Sequence, residues 1–192
     1  MATSETITDD DLTVDPVLGL KTRFWEEGDA VYVESWISPG GGVTPHVHPV
    51  IEERFEVVEG TCQLLSGRTW TDVPAGETVV VPPGTRHAFR NRSDAVTHFV
   101  CRTSPWSSLQ EFLEDAASLS RAGGINRHAM PTSWDALLQA AVMIDQHREM
   151  VELGFPLPPA PIQKVLMPRL AAAGRKRGYA PGRIGDRAAP SR

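Results

Sequence analysis

The sequence predicts a mainly β protein: an antiparallel sandwich or barrel over residues 19–104, followed by a C-terminal α-helical extension over 105–174. Three observations carry that reading. Short apolar runs recur about every eight to twelve residues between glycines and prolines, the rhythm of all-β sandwiches and barrels. At Pro105 the apolar spacing changes to the i, i+3, i+4 pattern of helices. The chain has 192 residues, 41% hydrophobic and 22% charged, enough for one domain with a real core.

Each element has its own signal. "AVYVESWI" (30–37) reads as a strand ended by "SPGGG" (38–42). "EERFEVVEG" (52–60) is a second strand closing on Gly60, and "TCQLLSG" (61–67) is its hairpin return. "TVVVPPG" (78–84) is a short buried strand stopped by two prolines, and "HAFRNRS" (87–93) and "VTHFVCR" (96–102) are two more. Beyond Pro105, Ser107 or Ser108 caps a helix with Leu109, Phe112, Leu113 and Ala116 on one face, ended by Gly123-Gly124. A second helix runs from Thr132 or Ser133 to about Leu153, with Trp134, Leu137, Leu138, Ala141 and Ile144 apolar. "FPLPPAP" (155–161) reads as an extended linker, because successive prolines exclude helix. A third helix from Ile162 carries Val165, Leu166 and Leu170 and is interrupted or kinked by Pro168.

The ends are opposite in charge. Residues 1–18 form an acidic arm with Glu5, Asp9, Asp10, Asp11 and Asp15, and residues 175–192 a basic tail expected to be solvated and disordered. A net charge of −5 gives no reason to expect nucleic acid or membrane as a partner. The N-terminus has neither a basic start nor an apolar run, so a cytoplasmic, reduced setting is expected. Cys62 and Cys101 then read as small buried hydrophobes.

The chemistry concentrates in "HVHPVIEERFEVVEG" (46–60). Alternate residues of a strand share a face. Glu53, Phe55 and Val57 lie on one side, and Glu52, Arg54, Glu56 and Val58 on the other. The second side is mostly charged and belongs in water, so Glu53 points inward with Phe55 and Val57. A buried carboxylate needs a cation or strong donors. His46 and His48 also share a face. In "RHAFRNR" (86–92) the arginines Arg86, Arg90 and Arg92, with Ala88, take the outer face, which sends His87, Phe89 and Asn91 inside. Three histidines and one carboxylate aimed into a barrel interior suit one divalent first-row transition metal.

These residues carry a resemblance. From Gly40, five residues lead to His46-x-His48, four more to Glu53, and six more to Gly60. From Gly76, five residues lead to Pro82-x-Gly84, two more to His87, and three more to Asn91. Both stretches resemble the two sequence motifs of the cupin superfamily, in order and with a short gap between them. The resemblance implies a cupin (RmlC-like) jelly-roll β-barrel with His46, His48, Glu53 and His87 as metal ligands. The chain is further similar to small single-domain cupins related to quercetin dioxygenase. That implies a metal-dependent dioxygenase for an aromatic, enol or polyketide-like small molecule, with Fe2+ favoured and Mn2+, Ni2+, Cu2+ or Zn2+ as alternatives. Glu53 would be ligand and base, and Phe55, Val57 and Phe89 would line the substrate pocket. A Lewis-acid isomerase, cyclase, lyase or decarboxylase working without O2 is the second reading, and a non-catalytic binding module the third. Phe55 stands where many cupin lyases use a tyrosine.

Other residues read more plainly. His98 is expected to be a satisfied structural histidine, and His128 and His147 surface residues of the helical region. Trp36, Trp70, Trp106 and Trp134 are expected in the core or at an interface. The apolar helix faces are expected to pack on the barrel or on a second subunit of a homodimer, with a lid over the barrel mouth as the functional alternative.

Overall fold

A computed structural model of the chain describes residues 11–154 and 160–182. Ten strands come first: β1 (Thr13–Asp15), β2 (Leu20–Glu27), β3 (Ala30–Ile37), β4 (His46–Val47), β5 (Glu52–Glu59), β6 (Thr61–Ser66), β7 (Thr69–Pro74), β8 (Thr78–Val81), β9 (Arg86–Arg90) and β10 (Thr97–Ser104). Helices α1 (Leu109–Arg121) and α2 (Trp134–Gln146), a last strand β11 (Glu152–Leu153) and helix α3 (Ala160–Lys176) follow. The strands form two antiparallel sheets, ordered β1-β2-β3-β10-β5-β8 and β11-β4-β9-β6-β7. Sequence neighbours β4 and β5 sit in different sheets, so the His46–Glu53 segment crosses the sandwich and brings ligand-type side chains from both walls toward one point.

Alternation sets the inner faces. In β5 the buried residues are Glu53, Phe55 and Val57, while Glu52, Arg54, Glu56 and Val58 are exposed. β10 alternates in the same way, burying Thr97, Phe99, Cys101 and Thr103. Phe55, Phe89 and Phe99 meet edge to face, with centroids 4.9–6.1 Å apart. β9 departs from simple parity. Ala88 shares the arginine face yet is buried, paired across to buried Leu65. Gly42 shows how closely this wall is built. At φ 151° it bridges Arg90, and a Cβ there would fall against the Phe89 carbonyl and 2.7 Å from Arg90 Cα.

The helices share the barrel's core. Leu109, Phe112, Leu119, Ala141, Met143 and Met167 belong to the same buried cluster as Ile37, Ile51, Phe55 and Phe99. α2 begins as its sequence suggests, with the Ser133 hydroxyl accepting the Ala136 N–H. It ends at Gln146, seven residues before the expected Leu153. The Met150 and Val151 N–H groups both return to the His147 carbonyl, and the chain then straightens into β11 against β4. α3 starts at Ala160, so Ala160 and Pro161 belong to the helix rather than to a linker. A proline suits the first turn, where its missing N–H has no helical partner. The rest of the expected linker, 155–159, lies outside the described residues. α3 continues through Pro168 to Lys176. It faces α2 with Met167, Leu170, Ala171 and Gly174, whereas Val165 and Leu166 are exposed.

Parts of both expected tails are built into the fold. Asp15 is buried and accepts from the Val17 and Leu18 N–H groups and the Ser120 hydroxyl, which ties β1 to α1. Arg175 meets Asp145 at 2.8 Å, Arg177 meets Asp135 at 2.7 Å, and Tyr179 packs with Leu138, Val142 and Ala171. The acidic residues before Asp11 and the bases beyond Gly182 lie outside the described residues. Among the described residues, no helix is long and apolar enough to cross a membrane.

Candidate metal centre

His46 on β4 and His87 on β9 are cross-strand partners, with ring centroids 4.2 Å apart. His48 follows β4 directly, and Glu53 reaches over from β5 in the other sheet. One ligand atom from each of the four lies within 4.8 Å of all the others. His48, Glu53 and His87 are buried, and His46 is half-buried. Glu53 Oε2 lies 2.7 Å from His87 Nε2, and Oε1 lies 3.6 Å from His48 Nε2.

The hydrogen bonds behind the rings decide what faces the centre. His46 Nδ1 is 2.9 Å from the Thr44 carbonyl, His87 Nδ1 is 2.8 Å from the Thr85 carbonyl, and His48 Nδ1 is 2.8 Å from the Met150 carbonyl. A carbonyl can only accept, so each Nδ1 carries the hydrogen and each neutral ring turns its Nε2 lone pair inward. Three lone pairs and a carboxylate therefore point at one another. Glu53 Oε2 and His87 Nε2 are buried with no satisfied hydrogen bond, because their 2.7 Å approach lacks the geometry of N–H donation. Buried acceptors in this state are satisfied by a proton held between them or by a shared cation. The donor set fits a divalent transition metal.

The electrostatics agree. Burial, with His87 and His48 adding to it, pushes His46 down to about 3, and burial also lowers His48. Burial would raise Glu53, but the three imidazoles outweigh it and hold the carboxyl below its ordinary range. For His87 burial is outweighed by Glu53, which raises it. Without a metal, a proton between His87 and Glu53 is the lesser answer to the same charge.

His46, His48 and Glu53, but not His87, border a cavity of about 190 Å³. Phe55, Phe89 and Phe99 line it from the barrel, and Phe112, Leu137 and Met143 are among the helical residues that close it. The helices thus pack on the barrel, and Leu109, Phe112 and Met143 belong both to the shared core and to the lining of this cavity. Val57 is buried in the core but does not border this space. It shares the Glu53 face four residues further along β5, beyond Phe55. Phe99 does border it and follows from the alternation of β10, a signal the mixed composition of "VTHFVCR" obscures.

The remaining histidines separate. His98 Nε2 lies 2.9 Å from Glu34 and stacks on Trp36, away from the cavity. His128 is exposed and borders the cavity rim. His147, expected at the surface, is buried at the end of α2, with Nδ1 2.7 Å from Ser108 Oγ. Trp106 and Trp134 are exposed rather than core, while Trp70 packs under Arg90 at 3.9 Å. Tyr32 stacks on Trp25 and does not border the cavity. Cys62 and Cys101 are free and buried, and burial pushes the Cys62 thiol up to about 12.

Two antiparallel sheets with three histidines and a glutamate gathered between them define a β-barrel with a candidate metal site. Residues 35–102 match the family model of the cupin domain, and the fold is that of a cupin (RmlC-like) barrel with C-terminal helices. A curated protein named polyketide synthase CurC, from Streptomyces cyaneus, is 37% identical over 68 residues, which are 35% of this chain and 44% of that protein. The match thus spans less than half of the relative's length. Among solved structures, an RmlC-like cupin from Shewanella frigidimarina is 20% identical, covering 54% of this chain and 92% of that one, with a TM-score of 0.46. KdgF from a Halomonas species is 21% identical, covering 55% and 96%, also with a TM-score of 0.46.

Proposed function

We propose that the protein is a metal-dependent dioxygenase of the quercetinase-like cupin kind, acting on an aromatic, enol or polyketide-like small molecule. The observation that carries this reading is the pair of buried, unpartnered atoms Glu53 Oε2 and His87 Nε2 in a quartet of which His46, His48 and Glu53 border a mostly apolar cavity. His46, His48, Glu53 and His87 would hold one divalent ion, Fe2+ favoured, with Mn2+, Ni2+, Cu2+ and Zn2+ also suited to imidazole and carboxylate. When bound, such an ion would supply Lewis acidity toward an enolate or phenolate oxygen, and a redox-active one such as Fe2+, unlike Zn2+, would add redox chemistry toward O2.

The chain's own residues supply the rest. Phe55, Phe89 and Phe99 offer a flat apolar surface, and the helical cover keeps bulk water from the reacting atoms. Glu53, ionised at neutral pH, can accept the proton of an enol or phenol at whichever oxygen is free. The name of the Streptomyces cyaneus relative supports a polyketide-like substrate.

The test is metal content followed by O2 uptake with flavonol-like and β-diketone substrates. Stoichiometric metal with O2 consumption is the expected result. Turnover that persists without oxygen would replace this reading with Lewis-acid isomerase, cyclase, lyase or decarboxylase chemistry. Retention of both metal and activity by His48→Ala would overturn the site itself. Binding without turnover of any kind would leave a small-molecule-binding cupin. We also propose a homodimer, supported by the exposed apolar Ile162, Val165 and Leu166 of α3. Light scattering that gives a monomer mass at micromolar concentration would remove it.

A further inference from the structure

Two of the three histidines are oriented locally. His46 and His87 each donate Nδ1–H to the carbonyl two residues earlier, Thr44 and Thr85. His48 does not. Its acceptor is the Met150 carbonyl, 102 residues away, in the turn after α2. That turn is fixed from within by Met150 and Val151 N–H groups on the His147 carbonyl, at 2.9 and 3.1 Å. It is fixed from outside by the 2.7 Å bond between the buried His147 Nδ1 and Ser108 Oγ, at the start of α1. The His147 ring also meets Phe112 edge-on at 5.6 Å. Beyond the turn, β11 pairs with the ligand strand, Leu153 opposite His46.

We infer that His147 is a positioning residue for the metal centre, a latch that joins α1 to the end of α2 and holds the Met150 carbonyl where His48 needs it. The inference rests on the metal reading above. Metal affinity is thereby coupled to closure of the helical cover over the cavity. With α1 and α2 seated, His48 presents a fixed Nε2. With the latch broken, the ring keeps its place in the chain but loses the acceptor that fixes its tautomer and angle.

Two readouts test this on the full-length protein. In metal-free wild type, three imidazole Nδ1–H signals should be resolved by NMR. In His147→Ala the His48 signal should broaden or exchange away, while those of His46 and His87 persist. The Co2+ affinity of His147→Ala should fall about tenfold, within the roughly 10–100-fold typical of lost outer-shell partners. His147→Asn, which keeps a polar atom near Nδ1 for Ser108, should recover most of it. A merely structural role would move all three ring signals together and would give no rescue specific to a hydrogen-bonding side chain. Unchanged affinity with an unchanged His48 signal overturns the latch. Should His147→Ala fail to fold, Ser108→Ala, the loss of one half-buried hydroxyl, is read in the same way. Should wild type bind no Co2+, the metal reading fails, and the metal-free ring signals still decide the latch. Selective loss of the His48 signal then supports it, and persistence overturns it.

Discussion

Glu34 and Glu53 are both buried carboxylates on one sheet, with β10 between their strands, and both face histidine. Glu34 receives the Arg23 guanidinium on one oxygen and lies 2.9 Å from His98 Nε2 through the other. His98 has no carbonyl bonded behind its ring among its described hydrogen bonds, so its Nε2 can carry the proton and donate. Glu53 faces rings whose protons are already committed to Thr44, Thr85 and Met150, and its Oε2 has no donor. Burial and residue type are the same. What separates a structural ion pair from a candidate site is where the partner's protons point.

Either carboxylate can be neutralised on its own. The largest effect should come from Glu53→Gln, which removes the anionic ligand. Metal affinity should drop by more than the 100-fold upper range for outer partners, while Glu34→Gln leaves it unchanged, both measured by competition with a chelating dye. Next, a divalent metal at about a hundredfold excess over its Kd should stabilise wild type by about 2.7 kcal/mol. In calorimetry this appears as a raised Tm, and Glu53→Gln should show no such rise. Equal rises in both proteins would place the ion elsewhere.

Third, Glu34→Gln should cost about 2 kcal/mol of unfolding free energy in urea. That is below the range for a fully buried pair, because Arg23 is about a third exposed. A fourth effect concerns acid. Burial lowers His87 but Glu53 raises it further, so its folded pKa lies above the ordinary value. Metal needs the His87 lone pair, so at pH values low enough to protonate that ring loading releases a proton, and affinity falls as pH drops through the raised pKa. The limit is tenfold, or about 1.4 kcal/mol, per pH unit. Calorimetry in buffers of different ionisation enthalpy reads the released proton, and an affinity flat from about pH 8 to about pH 5 would contradict the assignment. The smallest effect is His98→Gln, which should cost under about 1 kcal/mol and leave metal affinity untouched.

The sequence contains the inward choice of Glu53 over Glu52, because strand parity and the distance to Gly60 agree. It contains the His87 side of the site for the same reason, since three arginines cannot be inside. What it hides is depth along a strand. Val57 has the parity of Glu53 but lies beyond the cavity, and parity carries no information about distance from the barrel mouth. It also hides where α2 stops, because no glycine or proline interrupts Gln146 to Leu153 and Met150 and Val151 continue an apolar texture. The turn there is set by backbone bonds to His147 and β4. The acceptor behind His48 leaves the least trace. A main-chain carbonyl has no side-chain signature, and the residue that supplies it is an unremarked methionine.

The two residues of β11 also set an order of assembly. They close the edge of β4 that β9 leaves open, yet they emerge from the ribosome about fifty residues after the barrel's last other strand has been made. Until then the histidine strand has one free side, and any stray extended segment can pair there. The two sheets can form early, but the acceptor that orients His48 arrives only when the chain has passed Met150. Maturation of the centre is therefore a late event in the life of the nascent polypeptide.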